Sequence, residues 1–274
     1  MTQSPLTPSR AVGALFGAVL MVLPLQTQAQ GIVPDQVVQA EILPGWRIEG
    51  GRHMVALHLR LAEGWKTYWR IPGEAGIAPS VDWSASQNLE SVTPIWPRPH
   101  VFMQNGMTSI GYSGELILPL EITPSDPSRP VALIASVSIG VCRDVCVPVD
   151  LQITQAVRGD GGPDARINSA LATRAQPAGL RTTTCRLEPT ARGAELTLRA
   201  TLPSTGADEH IVMELPGSGY FISDSQTWRE GGDLVARARV RDPQRGPISI
   251  DRSALAFTVI SEGRMLTAQG CTGG

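Results

Sequence analysis

The amino-acid sequence predicts an all-β protein, made of two β-sandwich domains that are joined by a linker with a short helix. Three observations lead to this fold class. Short runs alternate between apolar and polar residues, which is the pattern of strands with one buried face. Turns rich in proline and glycine separate these runs, as is typical of antiparallel sandwiches. Residues 158–163 contain three glycines and a proline, and they interrupt the strand pattern.

The N-terminal segment, residues 1–29, has the three parts of a secretory signal peptide. Arg10 is its one charged residue, residues 11–25 are almost continuously apolar, and Thr27-Gln28-Ala29 provides small residues for cleavage. The apolar run is shorter than the roughly 20 residues of a membrane-spanning helix. We therefore expect an exported, periplasmic protein that starts near Gln30 and has no transmembrane segment; an uncleaved anchor is the alternative.

The charge of the chain argues against nucleic acid as a partner. Without residues 1–29 the chain has 22 basic and 25 acidic residues, a formal charge of −3. A charge so small and so evenly distributed does not attract a polyanion.

The first domain is predicted to span residues 30–157, and its clearest strand is residues 53–61. The apolar positions of this strand, which should face the core, are Val55, Leu57, Leu59 and Leu61. His58 and Arg60 should face the other side, so the strand is predicted to be half-buried. Further strands of this domain are predicted at residues 115–122, 131–141 and 147–155, and strands of the second domain at residues 195–202, 234–240 and 254–260. Turns are predicted at residues 71–73 and 96–99, and Trp65, Tyr68 and Trp69 are interpreted as core and corner residues.

The linker is predicted to span residues 158–179, and the second domain residues 180–274. Asp164 is a suitable N-cap for a short helix that runs to Arg174. Ile167 and Leu171 are four residues apart and would share the apolar face of this helix.

Cys142 and Cys146 are the most informative residues of the chain. In a straight strand, residues four apart lie roughly 13 Å apart, whereas a disulfide needs Cα atoms within about 7 Å. The pair can therefore bond only if residues 143–145 turn the chain between two strands. A loop this short stabilises a fold by only about 2 kcal/mol, and short-loop disulfides tend to be the labile ones. This favours a redox role over the alternative, a structural staple across two strands.

Cys185 and Cys271 lie near the two ends of the second domain. A bond between them would close a loop of about 86 residues. Closing a loop of this length stabilises a fold by at most roughly 4–5 kcal/mol. We interpret the pair as a structural disulfide. A second exchange site is the weaker alternative, since the two cysteines are distant in sequence.

Five motifs between residues 35 and 155 occur in the order found in a known family. They are Gly64–Gly73 (GWKTYWRIPG), Pro79–Trp83 (PSVDW), Ile95–Pro97 (IWP), Gly111–Glu115 (GYSGE) and Val141–Pro148 (VCRDVCVP). The segment resembles the N-terminal periplasmic domain of the DsbD thiol:disulfide interchange proteins, and more closely the copper-sensitivity-suppressor type. The spacing of three residues between the cysteines fits that second branch better.

The resemblance implies an immunoglobulin-like sandwich in which Cys142 and Cys146 cycle between dithiol and disulfide, without a cofactor. It implies electrons from a membrane donor of the DsbD/CcdA type, and delivery to periplasmic thioredoxin-like proteins. Such a protein would be a component of a protein-disulfide reductase. Cys146 would form the mixed disulfide, and Phe102 and Met103 are the candidates for the family's loop over the cysteines. The membrane domain and the C-terminal thioredoxin-like domain of the family do not occur in this sequence, so we expect a separate donor protein.

Two other functions use the same residues. Soft thiolates and thioethers favour Cu(I), so Cys142 and Cys146 could bind copper together with His100, Met103 and Met107. A non-catalytic binding module with an inert disulfide is the other alternative. A hydrolase is disfavoured because none of the four histidines lies in a nucleophile pattern, and no phosphate-binding loop or dinucleotide fingerprint occurs.

Overall fold

The structure is a computed structural model that describes Met1 and residues 34–104 and 106–274. The predicted signal peptide, Met1 apart, lies outside these residues. The regular secondary structure of the described chain is almost entirely β-strand and forms two sandwiches of two sheets each, which confirms the predicted fold class.

The first sandwich begins with a one-turn helix, α1 (Pro34–Val37). Its ten strands are β1 (Val38–Arg47), β2 (His53–Leu61), β3 (Lys66–Gly73), β4 (Ser80–Asp82), β5 (Leu89–Pro94), β6 (His100–Gln104), β7 (Met107–Ser113), β8 (Glu115–Pro124), β9 (Val131–Cys142) and β10 (Cys146–Val157). A short 3-10 turn, Glu49–Gly51, precedes β2. One sheet has the order β1-β2-β8-β5, and the other the order β10-β9-β3-β7-β6, with β4 paired to β9.

The second sandwich follows the helix α2 (Ala165–Ala172). Its ten strands are β11 (Gln176–Pro177), β12 (Thr182–Thr190), β13 (Gly193–Thr201), β14 (His210–Glu214), β15 (Phe221–Ile222), β16 (Gln226–Glu230), β17 (Asp233–Arg241), β18 (Ala256–Ile260), β19 (Met265–Gln269) and β20 (Thr272–Gly273). The sheets have the orders β11-β19-β18-β14 and β15-β17-β13-β12-β20, with β16 paired to β17. β11 lies inside the predicted linker, and the exact ends of the two domains stay a prediction.

β2 shows how the strand pattern builds the first core. Val55, Leu57 and Leu59 point between the two sheets and are buried, as their alternation predicts. The opposite face is not solvated, however: Met54 and Ala56 are buried in a second, smaller cluster with Ile167 of α2. Because the helix covers this face of the sheet, the prediction of a half-buried strand was wrong.

The helix α2 has the cap that the sequence predicts. The Asp164 carboxylate accepts a hydrogen bond from the backbone N–H of Arg166, at 2.8 Å. Ile167 is fully buried and Leu171 packs beside it. His58, on the strand beneath, is only 3% exposed, and its two ring nitrogens lie 3.0 and 2.6 Å from carboxylate oxygens of Glu41 and Glu115. These two contacts satisfy a polar side chain that the helix-covered face would otherwise leave without partners.

The two sandwiches contact each other. Val212, Ile260 and Met265 of the second sandwich are buried in the hydrophobic cluster of the first. The second sandwich has its own core between its sheets, in which Phe257 is fully buried. The two sandwiches therefore share apolar contacts and are not independent of each other.

Candidate thiol–disulfide site

Cys142 and Cys146 lie at the turn end of the β9–β10 hairpin. The two strands form an antiparallel ladder of 12 residues each, in which Cys146 lies directly opposite Cys142. Residues 143–145 form the connection, and the backbone N–H of Arg143 donates to the carbonyl of Val145 at 3.1 Å. The Cα atoms of the two cysteines are 4.1 Å apart, and their sulfurs are bonded. The chain thus makes the turn that a bond across three residues requires.

The two sulfurs have different surroundings. Cys142 is 2% exposed, whereas Cys146 is an exposed residue on a strand at the sheet edge. Val145, the residue before Cys146, is 58% exposed. An incoming protein thiol can therefore approach Cys146 more easily than Cys142, since attack on a disulfide depends on access to the sulfur.

Tyr68 is the polar neighbour of the exposed cysteine. Its hydroxyl oxygen lies 3.6 Å from Sγ of Cys146, and the hydroxyl also donates to the carbonyl of Ala75, at 3.4 Å. Burial raises the pKa of Tyr68 above its ordinary value, so the phenol is neutral and can donate a hydrogen bond to sulfur. Tyr68 was interpreted as a core or corner residue from its sequence; the structure adds a contact with the site.

Residues 73–79 form a segment that runs over Tyr68, and we call it the cover segment. Gly76 approaches Tyr68 so closely that a Cβ atom would lie 2.7 Å from the Tyr68 ring. The Ile77 side chain packs over Gly140, where a Cβ atom would lie 2.7 Å from Ile77. The segment begins with Gly73 at φ +78°, where a Cβ would collide with the carbonyl of Thr108. Two glycines thus let the cover segment approach, and a third, Gly140, leaves room for Ile77.

The predicted cap residues lie elsewhere on the same sheet. Phe102 and Met103 belong to β6, and three strands separate β6 from β10. The Phe102 ring packs under the ammonium group of Lys66, at 5.2 Å, and Met103 is 70% exposed. The cover segment lies beside Tyr68, and Phe102 lies next to Lys66, the residue of β3 that pairs with Cys142. The role of Phe102 and Met103 as a cap over the cysteines stays a prediction.

The residues of the copper alternative are also dispersed. His100 and Met103 lie on β6 and Met107 on β7, beyond β3 from the cysteines. Among the residues that the structure describes, no cluster of three His, Cys, Asp or Glu side chains is placed to hold a metal ion. Copper binding by the two cysteines together with His100, Met103 and Met107 stays an alternative hypothesis.

Cys185 and Cys271 form a disulfide with Cα atoms 5.7 Å apart. Cys185 lies on β12 and is 2% exposed. Cys271 directly precedes β20, which pairs with β12 in parallel. The bond thus reinforces a strand pairing within the second sandwich, as a structural disulfide would.

The fold and the site define the class of protein: an all-β domain that carries a short-loop disulfide with one accessible sulfur. Residues 28–157 match the family model described as thiol:disulfide interchange protein DsbD, N-terminal. This part of the chain belongs to that family, and the match supports a thiol:disulfide interchange module.

The chain is also similar to a solved structure, the N-terminal periplasmic domain of ScsB from Proteus mirabilis. The two are 25% identical, with a TM-score of 0.63, over 86% of this chain and 92% of that one. Since 86% of the chain is more than the first sandwich, the likeness extends into the second. No curated protein matches the chain in sequence. No helix in the described part of the chain is long and apolar enough to cross a membrane.

Proposed function

We propose that this protein relays electrons by thiol–disulfide exchange, through Cys142 and Cys146, between a donor and thioredoxin-like partner proteins. One observation carries the proposal: in a domain of the DsbD N-terminal family, one sulfur of the pair is exposed at a hairpin end and the other is buried. This asymmetry supports a division of roles, with Cys146 as the sulfur that meets partners and Cys142 as the sulfur that resolves the mixed disulfide.

The proposed exchange has two steps. The thiolate of reduced Cys146 attacks a sulfur of the partner's disulfide, which forms a mixed disulfide and releases one partner thiolate. The Cys142 thiolate then attacks Sγ of Cys146, which closes the intramolecular bond and releases the second partner thiolate. Two electrons pass to the partner, whose two thiolates take up two protons, while Cys142 and Cys146 are oxidised. Reduction by the donor is the same sequence in reverse.

Tyr68 would act on the first step. Its hydroxyl lies within reach of Sγ of Cys146, and a hydrogen bond to a charged sulfur favours the thiolate over the thiol. A larger fraction of thiolate makes Cys146 a more available nucleophile near neutral pH. Tyr68 is therefore proposed as a catalytic residue, because it touches a reacting atom.

The partner surface surrounds Cys146. Val145 is 58% exposed and Ile77 is 42% exposed, and both are apolar neighbours of the site. Exposed apolar side chains next to a reactive group are suited to a transient protein contact. We propose thioredoxin-like proteins as the acceptors, a membrane protein of the DsbD/CcdA type as the donor, and the periplasm as the compartment.

The first experiment is a redox titration of the Cys142–Cys146 bond in glutathione buffers, read by thiol alkylation and mass spectrometry. The known exchange proteins lie at roughly −120 to −270 mV, and a value in that range, with Cys185–Cys271 still oxidised, supports the relay. A value well below about −300 mV is that of a structural disulfide and would overturn the proposal. Copper titration of the reduced protein would then be the next measurement.

A further inference from the structure

We propose that Arg70 and Glu214 are positioning residues, through which the second sandwich holds Tyr68 and the cover segment beside Cys146. The proposal deepens the function proposed above and rests on it, because it assigns the second domain a role in positioning the groups next to the exchanging sulfur. Arg70 lies on β3 of the first sandwich, and Glu214 lies at the end of β14 in the second.

The ion pair between the two residues is bidentate. Nη2 of Arg70 lies 2.7 Å from Oε2 of Glu214, and Nη1 lies 2.9 and 3.1 Å from Oε2 and Oε1. The side chains are 33% and 20% exposed, so water screens the pair only in part. The Arg70 guanidinium also stacks on the Trp69 ring, at 4.1 Å from its centroid. Two contacts thus fix the guanidinium between the domains.

The backbone around Arg70 departs from the regular ladder. Tyr68 pairs with Gly111 on β7, and the next pair joins Gly73 to Ser109. Residues 69–72 therefore face a single residue, Ile110, and arch away from the sheet. Because the arch is not held by a continuous ladder, its position depends on other contacts, and the ion pair is one of them.

The arch connects the ion pair to the sulfur. Arg70 is two residues after Tyr68, whose hydroxyl contacts Sγ of Cys146, and three residues before Gly73, where the cover segment begins. The Tyr68 hydroxyl bonds back to the carbonyl of Ala75 in that segment. A displacement of Arg70 would therefore move both Tyr68 and the cover segment, which are the two groups beside Cys146.

The cover segment has room to move. A cleft of about 640 Å³ separates it from the second sandwich, lined by residues of the 70–78 and 212–225 regions. Glu214 lies in the wall of this cleft. Breaking the ion pair by removing one partner would leave a charged group partly desolvated and without its counter-ion, so the remaining partner would turn into the cleft and draw the arch with it.

The test compares the rate at which dithiothreitol reduces Cys142–Cys146 in three variants at one pH. Glu214→Gln removes the charge, and we expect reduction to be about fivefold faster or more. Glu214→Asp keeps a carboxylate, and its rate should stay within about twofold of the native protein. Asp233→Asn is the matched control, because it breaks an ion pair with Arg199 of similar exposure, 24% for the carboxylate side chain, inside the second sandwich.

Hydrogen exchange separates positioning from a general loss of stability. In Glu214→Gln the amides of residues 74 and 75, which donate to the carbonyl of Thr108, should exchange faster, while the β9–β10 ladder stays protected. If Glu214→Gln does not fold, the double variant Arg70→Gln/Glu214→Gln removes both charges and gives the same comparison.

Two outcomes overturn the proposal. One is a native reduction rate in the charge-removing variant, and the other is an equal acceleration in Asp233→Asn. A reduction potential below the exchange range would instead contradict the proposed function. The dithiothreitol reduction rates of the variants would still show whether the ion pair positions the cover segment. The two failures are therefore distinguishable.

Discussion

The hydroxyl group of Tyr68 lies between two acceptors, the carbonyl oxygen of Ala75 at 3.4 Å and the Sγ atom of Cys146 at 3.6 Å. A phenol has one hydrogen to donate, so it can bond well to only one of them at a time. A disulfide sulfur is a weak acceptor, which leaves the carbonyl as the better partner in the oxidised protein. A thiolate is a strong acceptor, so reduction should turn the hydroxyl towards Cys146.

The first prediction concerns this hydroxyl. Tyr68→Phe should raise the pKa of the reduced Cys146 thiol by about one unit, because a hydrogen bond to a charged group is worth about 1.5–3 kcal/mol. The rate of alkylation by iodoacetamide as a function of pH measures this pKa. Tyr112→Phe is the control, since the Tyr112 hydroxyl donates to the carbonyl of Pro97 at 2.8 Å instead. Identical pH profiles for Tyr68→Phe and the native protein would show that the Tyr68 hydroxyl does not stabilise the Cys146 thiolate.

The second prediction concerns the roles of the two cysteines. Cys142→Ala should accumulate a mixed disulfide with a thioredoxin-like protein, because the exposed Cys146 can attack but no second thiol resolves the product. Cys146→Ala should accumulate much less, because Cys142 is buried. Non-reducing gels and intact mass measure both complexes. A larger amount of mixed disulfide with Cys146→Ala than with Cys142→Ala would reverse the assigned roles.

The third prediction concerns the apolar surface beside Cys146. Val145→Ser should lower kcat/KM for exchange with a thioredoxin-like partner by about fivefold to tenfold, since a buried valine contributes on the order of 1–1.5 kcal/mol to such a contact. Reduction by dithiothreitol should be unchanged, because a small thiol does not use this surface. A partner rate that also stays unchanged would place the interface elsewhere.

The fourth prediction concerns pH and the second sandwich. Hydrogen bonds from Arg229 lower the pKa of Glu209 to about 2, and Thr205 adds two more, from its N–H and its hydroxyl. The carboxylate side chain is only 8% exposed. Since the folded pKa lies below the unfolded value near 4.5, the ionised group contributes stability above that pH, and the contribution is lost as pH falls towards 2. It should amount to on the order of 3 kcal/mol.

Urea unfolding between pH 6 and pH 2 measures this contribution. The native protein should lose more stability over the interval than Glu209→Gln, whose side chain does not ionise. Other carboxylates with lowered pKa values, such as Asp233, act equally in both proteins and cancel in the comparison. Parallel curves for the two proteins would contradict the assignment to Glu209.

Local patterns predict the strands and the helix well. The strand at His53–Leu61 matches its predicted bounds, and Asp164 caps α2 as expected. Alternation and capping are local signals, because they depend only on neighbours in sequence. The covering of the outer face of β2 by α2 depends on residues that are distant in sequence. The burial of His58 therefore did not follow from the apolar–polar alternation of residues 53–61.

The site is only partly predictable for the same reason. The spacing of Cys142 and Cys146, between two strand-like runs, predicts a hairpin with both sulfurs at its end. The contact of Tyr68 with Cys146 depends on the strand order β10-β9-β3 and on the arch at residues 69–72, which no local pattern encodes. Pro72 and Gly73 are signs of a break in β3, and this is the signal that could have indicated the cover segment.

The long β9–β10 ladder has a consequence for the lifetime of the proposed intermediates. Twelve paired residues keep Cys142 opposite Cys146 whether or not their sulfurs are bonded, so the free thiol of Cys142 has a high effective concentration at the mixed disulfide. The mixed disulfide with a partner should therefore be short-lived, because its resolution by Cys142 needs no rearrangement of this hairpin. A carrier built in this way would turn over quickly while remaining almost rigid.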